Sequence, residues 1–257
     1  MMQYALPLLF TLFIWWFSTG VILYLDGLPR HTFKWTMLAF TVILVLALVG
    51  LSASKTDITE AGAYCGFTCG LLVWAWQEVA FLLGFVTGPR RISCPPGAVG
   101  WQRARYAFQA VKHHELALVM LALAVTAATW GGANQTGLWT FLILWAMRQS
   151  AKLNVFLGVR NLNEGFLPPH LKYLQTYFTR RPFNGLFPFS VAVSTAIAVG
   201  LWQAALVPGV TPFESTSLSL SAGLMSLAVL EHWFLVLPLP FEALWNWGLR
   251  SRAVAPD

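Results

Sequence analysis

Apolar residues run along this chain in long blocks, not in the strict alternation of strands or the narrow stripes of soluble amphipathic helices. A helix rises 1.5 Å per residue and needs about 20 apolar residues to cross a bilayer. By that measure residues 1–25, 35–54 and 59–87 predict the first three spans. The uncharged run 116–147 is too long for one helix, and Gly131-Gly132-Ala133-Asn134-Gln135 breaks it into a fourth and a fifth. The fifth continues through Arg148 and Lys152 to about residue 159, and roughly 187–206 and 215–237 complete the series. The pattern predicts an all-α integral membrane protein of about seven transmembrane helices, a single polytopic domain over 1–257 with no internal repeat and no room for a soluble domain between spans. Residues 1–25 carry no basic leader region and no small-residue cleavage site, so they read as a retained helix.

Composition agrees: 57% of residues are apolar and 10% charged. Basic residues fall on one side of the predicted membrane. Arg30, Lys34, Arg90, Arg91, Arg103, Arg105, Lys112, Arg160, Lys172, Arg180, Arg181, Arg250 and Arg252 lie in alternate loops and the tail, against Lys55 alone in the others. The positive-inside rule then places the N-terminus outside and the C-terminus in the cytoplasm of a bacterial cytoplasmic membrane. The net charge of +6 reports that asymmetry and an attraction to anionic headgroups; it gives no reason to expect nucleic acid as a partner.

Three loop segments are amphipathic. Trp101, Ala104, Phe108 and Val111 oppose Arg103 and Arg105, an interfacial helix running into the fourth span. Pro168-Pro169 opens a second, with Leu171, Leu174 and Phe178 on one face and Lys172 and Arg180 on the other. Pro238 and Pro240 end the seventh span, and residues 241–249, with Trp245 and Trp247, form the third. Short interfacial segments therefore roof the cytoplasmic side.

Candidate chemistry lies inside the spans, where an ionisable group is costly unless paired or facing a polar cavity. Glu78 sits about nine residues before the expected end of its helix, roughly 13 Å deep. Glu231 and His232 lie one to two turns inside the seventh span, Asn154 at a similar level in the fifth, and Lys112-His113-His114-Glu115 in the first turns of the fourth. Asn161, Asn163, Glu164 and His170 come from the loop beneath. Two readings are open for this cluster. His113 or His114, His232, Glu78, Glu115 and Glu231 could surround a metal ion, or a histidine could ligate a tetrapyrrole such as bacteriochlorophyll. Alternatively Glu78 and Glu231 neutralise Arg148 and Lys152 with no cofactor at all. The Glu and His spacing of di-iron bundles and the i, i+4 His pair of helical zinc sites are both missing. Adjacent His113 and His114 point about 100° apart, so one faces the core when the other faces headgroups. Cys65 and Cys69, one turn apart, read as small packing residues, and Cys94-Pro95-Pro96 as a turn. Trp35, Trp101, Trp130, Trp139, Trp245 and Trp247 stand near predicted boundaries as interface anchors, whereas Trp74 and Trp76 either wall a flat ligand or fill the core.

Four segments occur in order: Trp74-Ala75-Trp76-Gln77-Glu78; Lys112-His113-His114-Glu115-Leu116; Arg160-Asn161-Leu162-Asn163-Glu164 with Pro168-Pro169-His170-Leu171; and Leu230-Glu231-His232-Trp233 before Pro238-Leu239-Pro240. Together they resemble the photosynthetic complex assembly protein 2 family, of PuhE type, over nearly the whole chain. The resemblance implies a cytoplasmic-membrane protein of anoxygenic phototrophs, associated with making the reaction centre and its core antenna. It implies no reaction. Two expectations follow: a non-enzymatic assembly factor that holds a reaction-centre or antenna subunit or presents bacteriochlorophyll to it, or a metal-dependent membrane oxidoreductase or hydroxylase acting on a tetrapyrrole or carotenoid. The missing repeat weakens a transporter reading.

Overall fold

Helix starts are set by local chemistry. Thr59 accepts a hydrogen bond from the Gly62 N–H, and Thr211 forms a reciprocal capping box with Glu214 behind Pro212 at the first helical position. The computed structural model, which describes residues 2–254, contains seven long helices: α1 Met2–Asp26, α2 Phe33–Ser54, α3 Glu60–Leu82, α4 Gly100–Thr129, α5 Thr136–Leu157, α6 Leu186–Ala205 and α7 Pro212–Phe234. Among the described residues there is no strand, only an isolated bridge between Val159 and Arg180. This is an all-α, multi-pass membrane protein.

Six of the seven are long and apolar enough to cross a membrane. The exception is α5, whose 22 residues include Arg148, Gln149, Lys152 and Asn154. It nevertheless runs the full height of the bundle. Before its first turn, Asn134 donates to the carbonyls of Ser54 and Gly62 where α2 meets α3; beyond its last, Asn184 donates to Asn154 and Gly158 at the start of α6. The end holding residues 55–59, 130–135 and 206–211 is here the turn end. The opposite, basic end holds residues 27–32, 83–99, 158–185 and 235–254.

Burial divides the helices into inner and outer. In α3 and α7, 61% of an apolar 18-residue stretch is buried, against 11–28% in α1, α2, α4 and α6. Outer faces carry exposed apolar side chains such as Leu9, Leu46, Leu123 and Phe189, as lipid contact requires. Close approach of α3 to α5 depends on small residues. Gly66 and Gly70, one turn apart on α3, face Gly137, and a methyl at Gly70 would strike the Gly137 carbonyl.

The basic end departs from expectation in three ways. Gly84, at φ +82°, ends α3 by Leu82, so Glu78 lies four residues from the helix end, about 6 Å along the axis and not 13 Å. The second amphipathic segment, Pro169–Tyr177, winds as a 3-10 helix, and with three residues per turn Leu171, Leu174 and Tyr177 share the buried face in place of Leu171, Leu174 and Phe178. Trp245 and Trp247 are packing residues: Trp245, 3% exposed, donates its indole N–H to the Trp16 carbonyl, and Trp247 stacks on Phe17 against Gly20 of α1. Arg252 fastens this tail by a bidentate pair with Asp26 at the end of α1. The expected interfacial helix at residue 101 is the first part of one unbroken α4.

Candidate functional site

Four inner and flanking helices contribute to one polar layer in the half of the bundle nearer the basic end. Glu78 of α3 accepts from Arg148 of α5 at 2.8 Å, with 11% of the Glu78 side chain and 43% of the Arg148 side chain exposed. Lys152, one turn further along α5, pairs with Glu115 of α4 at 2.7 Å, and Gln149 donates to the other carboxylate oxygen of Glu115 at 2.6 Å. Two acids and two bases are thereby neutralised in a region where each alone would be costly. The expected partnership of Lys152 with Glu78 or Glu231 does not form. Glu231 is exposed on the surface of α7, and its carboxylate accepts the Trp15 indole N–H from α1 at 2.7 Å.

Both buried histidines use both ring nitrogens. His232 of α7 holds the Ala228 carbonyl through Nδ1 at 2.9 Å and Ser150 of α5 through Nε2 at 2.9 Å. A carbonyl only accepts, so Nδ1 carries the proton and Nε2 accepts from the serine hydroxyl. His114 of α4 has the Gln77 amide 2.6 Å from Nδ1 and Lys152 Nζ 2.9 Å from Nε2. A neutral imidazole accepts at one nitrogen only, and an ammonium only donates. Nε2 therefore accepts from Lys152, and Nδ1–H donates to the Gln77 side-chain oxygen, an orientation that a half-turn of the amide supplies in exchange for the longer, 3.4 Å donation of its N–H to the His114 carbonyl. The ring of His114 also leans on Phe81, centroids 4.5 Å apart.

The remaining sequence candidates are scattered. His113 is exposed on the far side of α4. Asn154 is fully buried and serves the α5–α6 junction, donating to Ser190 and accepting from Asn184. Glu164 makes an exposed pair with Arg180 at 3.1 Å. His170 lies outside the layer, its Nε2–H donating to the Leu82 carbonyl at 2.8 Å. Burial, and then the charges of Arg30, Arg252 and Arg91, hold its pKa below the usual imidazole value, against the raising effect of the Leu82 hydrogen bond. Trp74 packs edge-on to Phe141 in the core, and Trp76 donates to Thr41 of α2. Among the described residues no three His, Cys, Asp or Glu side chains gather closely enough to hold a metal ion.

Several participants were not singled out from sequence: Gln77, Gln149, Ser150, Asn184 and Trp15. Asn184-Gly185 just before an apolar run is a legible cap signal, and its side chain does accept from the Leu186 and Phe187 N–H groups. The others carry no local signal, because a neutral polar residue on a helix is informative only once its neighbour across the interface is known.

The chain matches, over residues 1–255, the family described as "Protein of unknown function (DUF3623)", and it belongs to that family. It is 38% identical over 247 residues to a Rhodobacter capsulatus protein described as "Uncharacterized 30.4 kDa protein in puhA 5'region", an alignment covering 94% of this chain and 89% of the relative. No solved structure matches it.

Proposed function

We propose that this protein is a membrane-embedded factor, of PuhE type, for assembling the photosynthetic reaction centre and its core antenna. In this reading the basic end faces the cytoplasm and the polar layer lies in the cytoplasmic half of the bilayer. The observation that carries it is the relative at 38% identity over nearly the whole chain, described as lying in the puhA 5' region. The chemistry of the layer supports the same reading. Glu78, Glu115, Arg148 and Lys152 neutralise one another, and His114 and His232 spend both ring nitrogens on neighbouring helices, so these groups hold α3, α4, α5 and α7 in register. Glu231 on α7 and His113 on the far side of α4, both outside that network, are then the exposed candidates for contact with a bacteriochlorophyll or a reaction-centre or antenna subunit.

The test is deletion of the gene in a phototrophic host, with absorption spectra of reaction centre and core antenna and a survey of pigment intermediates. An assembly factor leaves the complexes depleted with no discrete precursor building up, and the purified protein retains pigment or reaction-centre polypeptides in a manner weakened by replacing His113 or Glu231. Accumulation of one pigment intermediate, together with stoichiometric metal lost on replacing Glu115, Glu231 or His232, overturns this reading in favour of an oxidoreductase.

A further inference from the structure

We infer that the basic end carries a binding site for a phosphoryl group, in the cavity between the α1–α2 link, the segment after α3 and the 3-10 helix Pro169–Tyr177. The cavity measures about 250 Å³ and is lined by Arg30 and Phe33 from the first of these, Leu83, Gly84, Thr87 and Arg91 from the second, and His170, Leu171 and Tyr173 from the third. A water molecule takes up roughly 30 Å³ of liquid, so the space admits a multi-atom anion with its first hydration partners.

The lining is cationic and lacks any acid. The side chains of Arg30 and Arg91 have no hydrogen bond or ion pair among the described residues, whereas those of Arg90, Arg103 and Arg252 at the same end are committed to Tyr177, to the carbonyls of Phe156 and Tyr177, and to Asp26. Arg30 and Arg91, both exposed, line one cavity with no carboxylate between them, so its field favours an anion. Neutral groups complete the set. Thr87 is 1% exposed, and its hydroxyl and that of Tyr173 lie beside each other in the cavity with no other protein partner. One hydroxyl of this pair can donate to the other, which leaves one O–H to donate into the cavity. With its Nε2–H given to Leu82, neutral His170 presents only an acceptor lone pair at Nδ1, which can meet a phosphoryl group through a P–OH.

Donor number argues for phosphoryl over carboxylate. Two guanidinium forks and the remaining O–H of the hydroxyl pair, from three chain segments, exceed what the two oxygens of a carboxylate accept, and they suit the three non-bridging oxygens of a phosphomonoester or phosphate. Position points to the membrane surface. Lys34 lies over the Trp35 ring at 5.4 Å just along α2, and Trp35 is 63% exposed, the placement of an interfacial indole. Phe33, Leu83 and Leu171 give the cavity an apolar wall against which the first carbons of a lipid or prenyl chain fit. The phosphoryl group can thus arrive on a lipid headgroup or as a free anion.

The experiment uses the full chain purified in detergent and stripped of lipid. Inorganic phosphate and pyrophosphate are titrated calorimetrically, and, separately, phosphatidic acid against phosphatidylcholine in mixed micelles is followed by native mass spectrometry. Saturable binding of phosphatidic acid without the free anions assigns the headgroup source, and the converse assigns a soluble phosphate; either supports the site. Arg30→Gln and Arg91→Gln should each weaken binding about tenfold. Thr87→Val should weaken it by about threefold or more, with Thr87→Ser restoring it. Arg105→Gln, an exposed basic residue outside the cavity, should leave affinity unchanged. Absence of binding by every probe, or an equal loss in Arg105→Gln and Arg91→Gln, overturns the assignment; the latter would mark diffuse surface charge.

Discussion

Glu78 of α3 and Arg148 of α5, 70 positions apart in the chain, meet at 2.8 Å while the second Glu78 carboxylate oxygen is buried without a partner. The carboxylate therefore depends on a single guanidinium. Replacing Arg148 by Gln should lower stability by about 1–3 kcal/mol, less than for a fully enclosed pair because Arg148 is partly exposed. Glu78→Gln alone should act in the same direction, and the double variant should recover part of the loss. Thermal unfolding in detergent and accumulation in cells measure this cycle, and strict additivity would show that the two groups do not support each other.

Lys152 bridges His114 and Glu115. Lys152→Met should cost about 1–2 kcal/mol by leaving the partly exposed Glu115 carboxylate with the Gln149 amide alone, while Glu115→Gln/Lys152→Met should cost less. Nitrogen chemical shifts of labelled histidine check the tautomers: His114 and His232 should both carry the proton on Nδ1, and loss of Lys152 should alter the His114 Nε2 signal alone.

The tail is tied to α1 at two places. Arg252→Gln should leave Asp26 buried without its partner, and because the carboxyl can then take up a proton the docking of residues 246–252 should lose about 1–3 kcal/mol. Gly20→Leu should displace the Trp247 ring by direct collision. Either variant should expose the tail to added protease in sealed vesicles of the right orientation, and resistance equal to wild type would show that other contacts suffice.

His170 supplies a pH dependence. Its pKa in the folded protein is lowered from 6.5 by burial and by Arg30, Arg252 and Arg91, against the raising effect of the Leu82 hydrogen bond. The unfolded chain therefore binds the proton first on acidification. The stability associated with a neutral His170 is complete above pH 6.5 and is lost as pH falls from there through the lowered folded value. Melting temperatures from pH 7.5 to 5 should drop more steeply for wild type than for His170→Gln, which keeps a donor for Leu82 and does not titrate. Parallel curves would assign the acid sensitivity elsewhere.

Orientation is tested by reporter fusions. A fusion after Pro96 should report the cytoplasm and one after Gly132 the exterior, as the thirteen basic residues at one end against Lys55 at the other require. The reverse pattern would move the polar layer to the outer leaflet.

Helix number and approximate span limits were legible in the sequence because they depend on local quantities: the length of an apolar run, and breakers such as Gly131-Gly132 and Pro238. Even α5 was legible, since its uncharged first half leaves no other place for the chain to go. Lys152 was legible as an intramembrane charge needing an acid; which acid was not. Its choice of Glu115 over Glu231 follows from the tilt and rotation of α4, α5 and α7, which the close contact of Gly66 and Gly70 with Gly137 and the packing of the inner helices fix together. The winding of Pro169–Tyr177 was hidden for a similar reason. Periodicities of three and of 3.6 differ by little over nine residues, and only the docking of Tyr177 against the basic end distinguishes them. Local composition determined what must be buried and what must be neutralised; the tertiary structure decided with which neighbour, because partners lying 37 and 70 residues apart meet only through the geometry of the whole bundle.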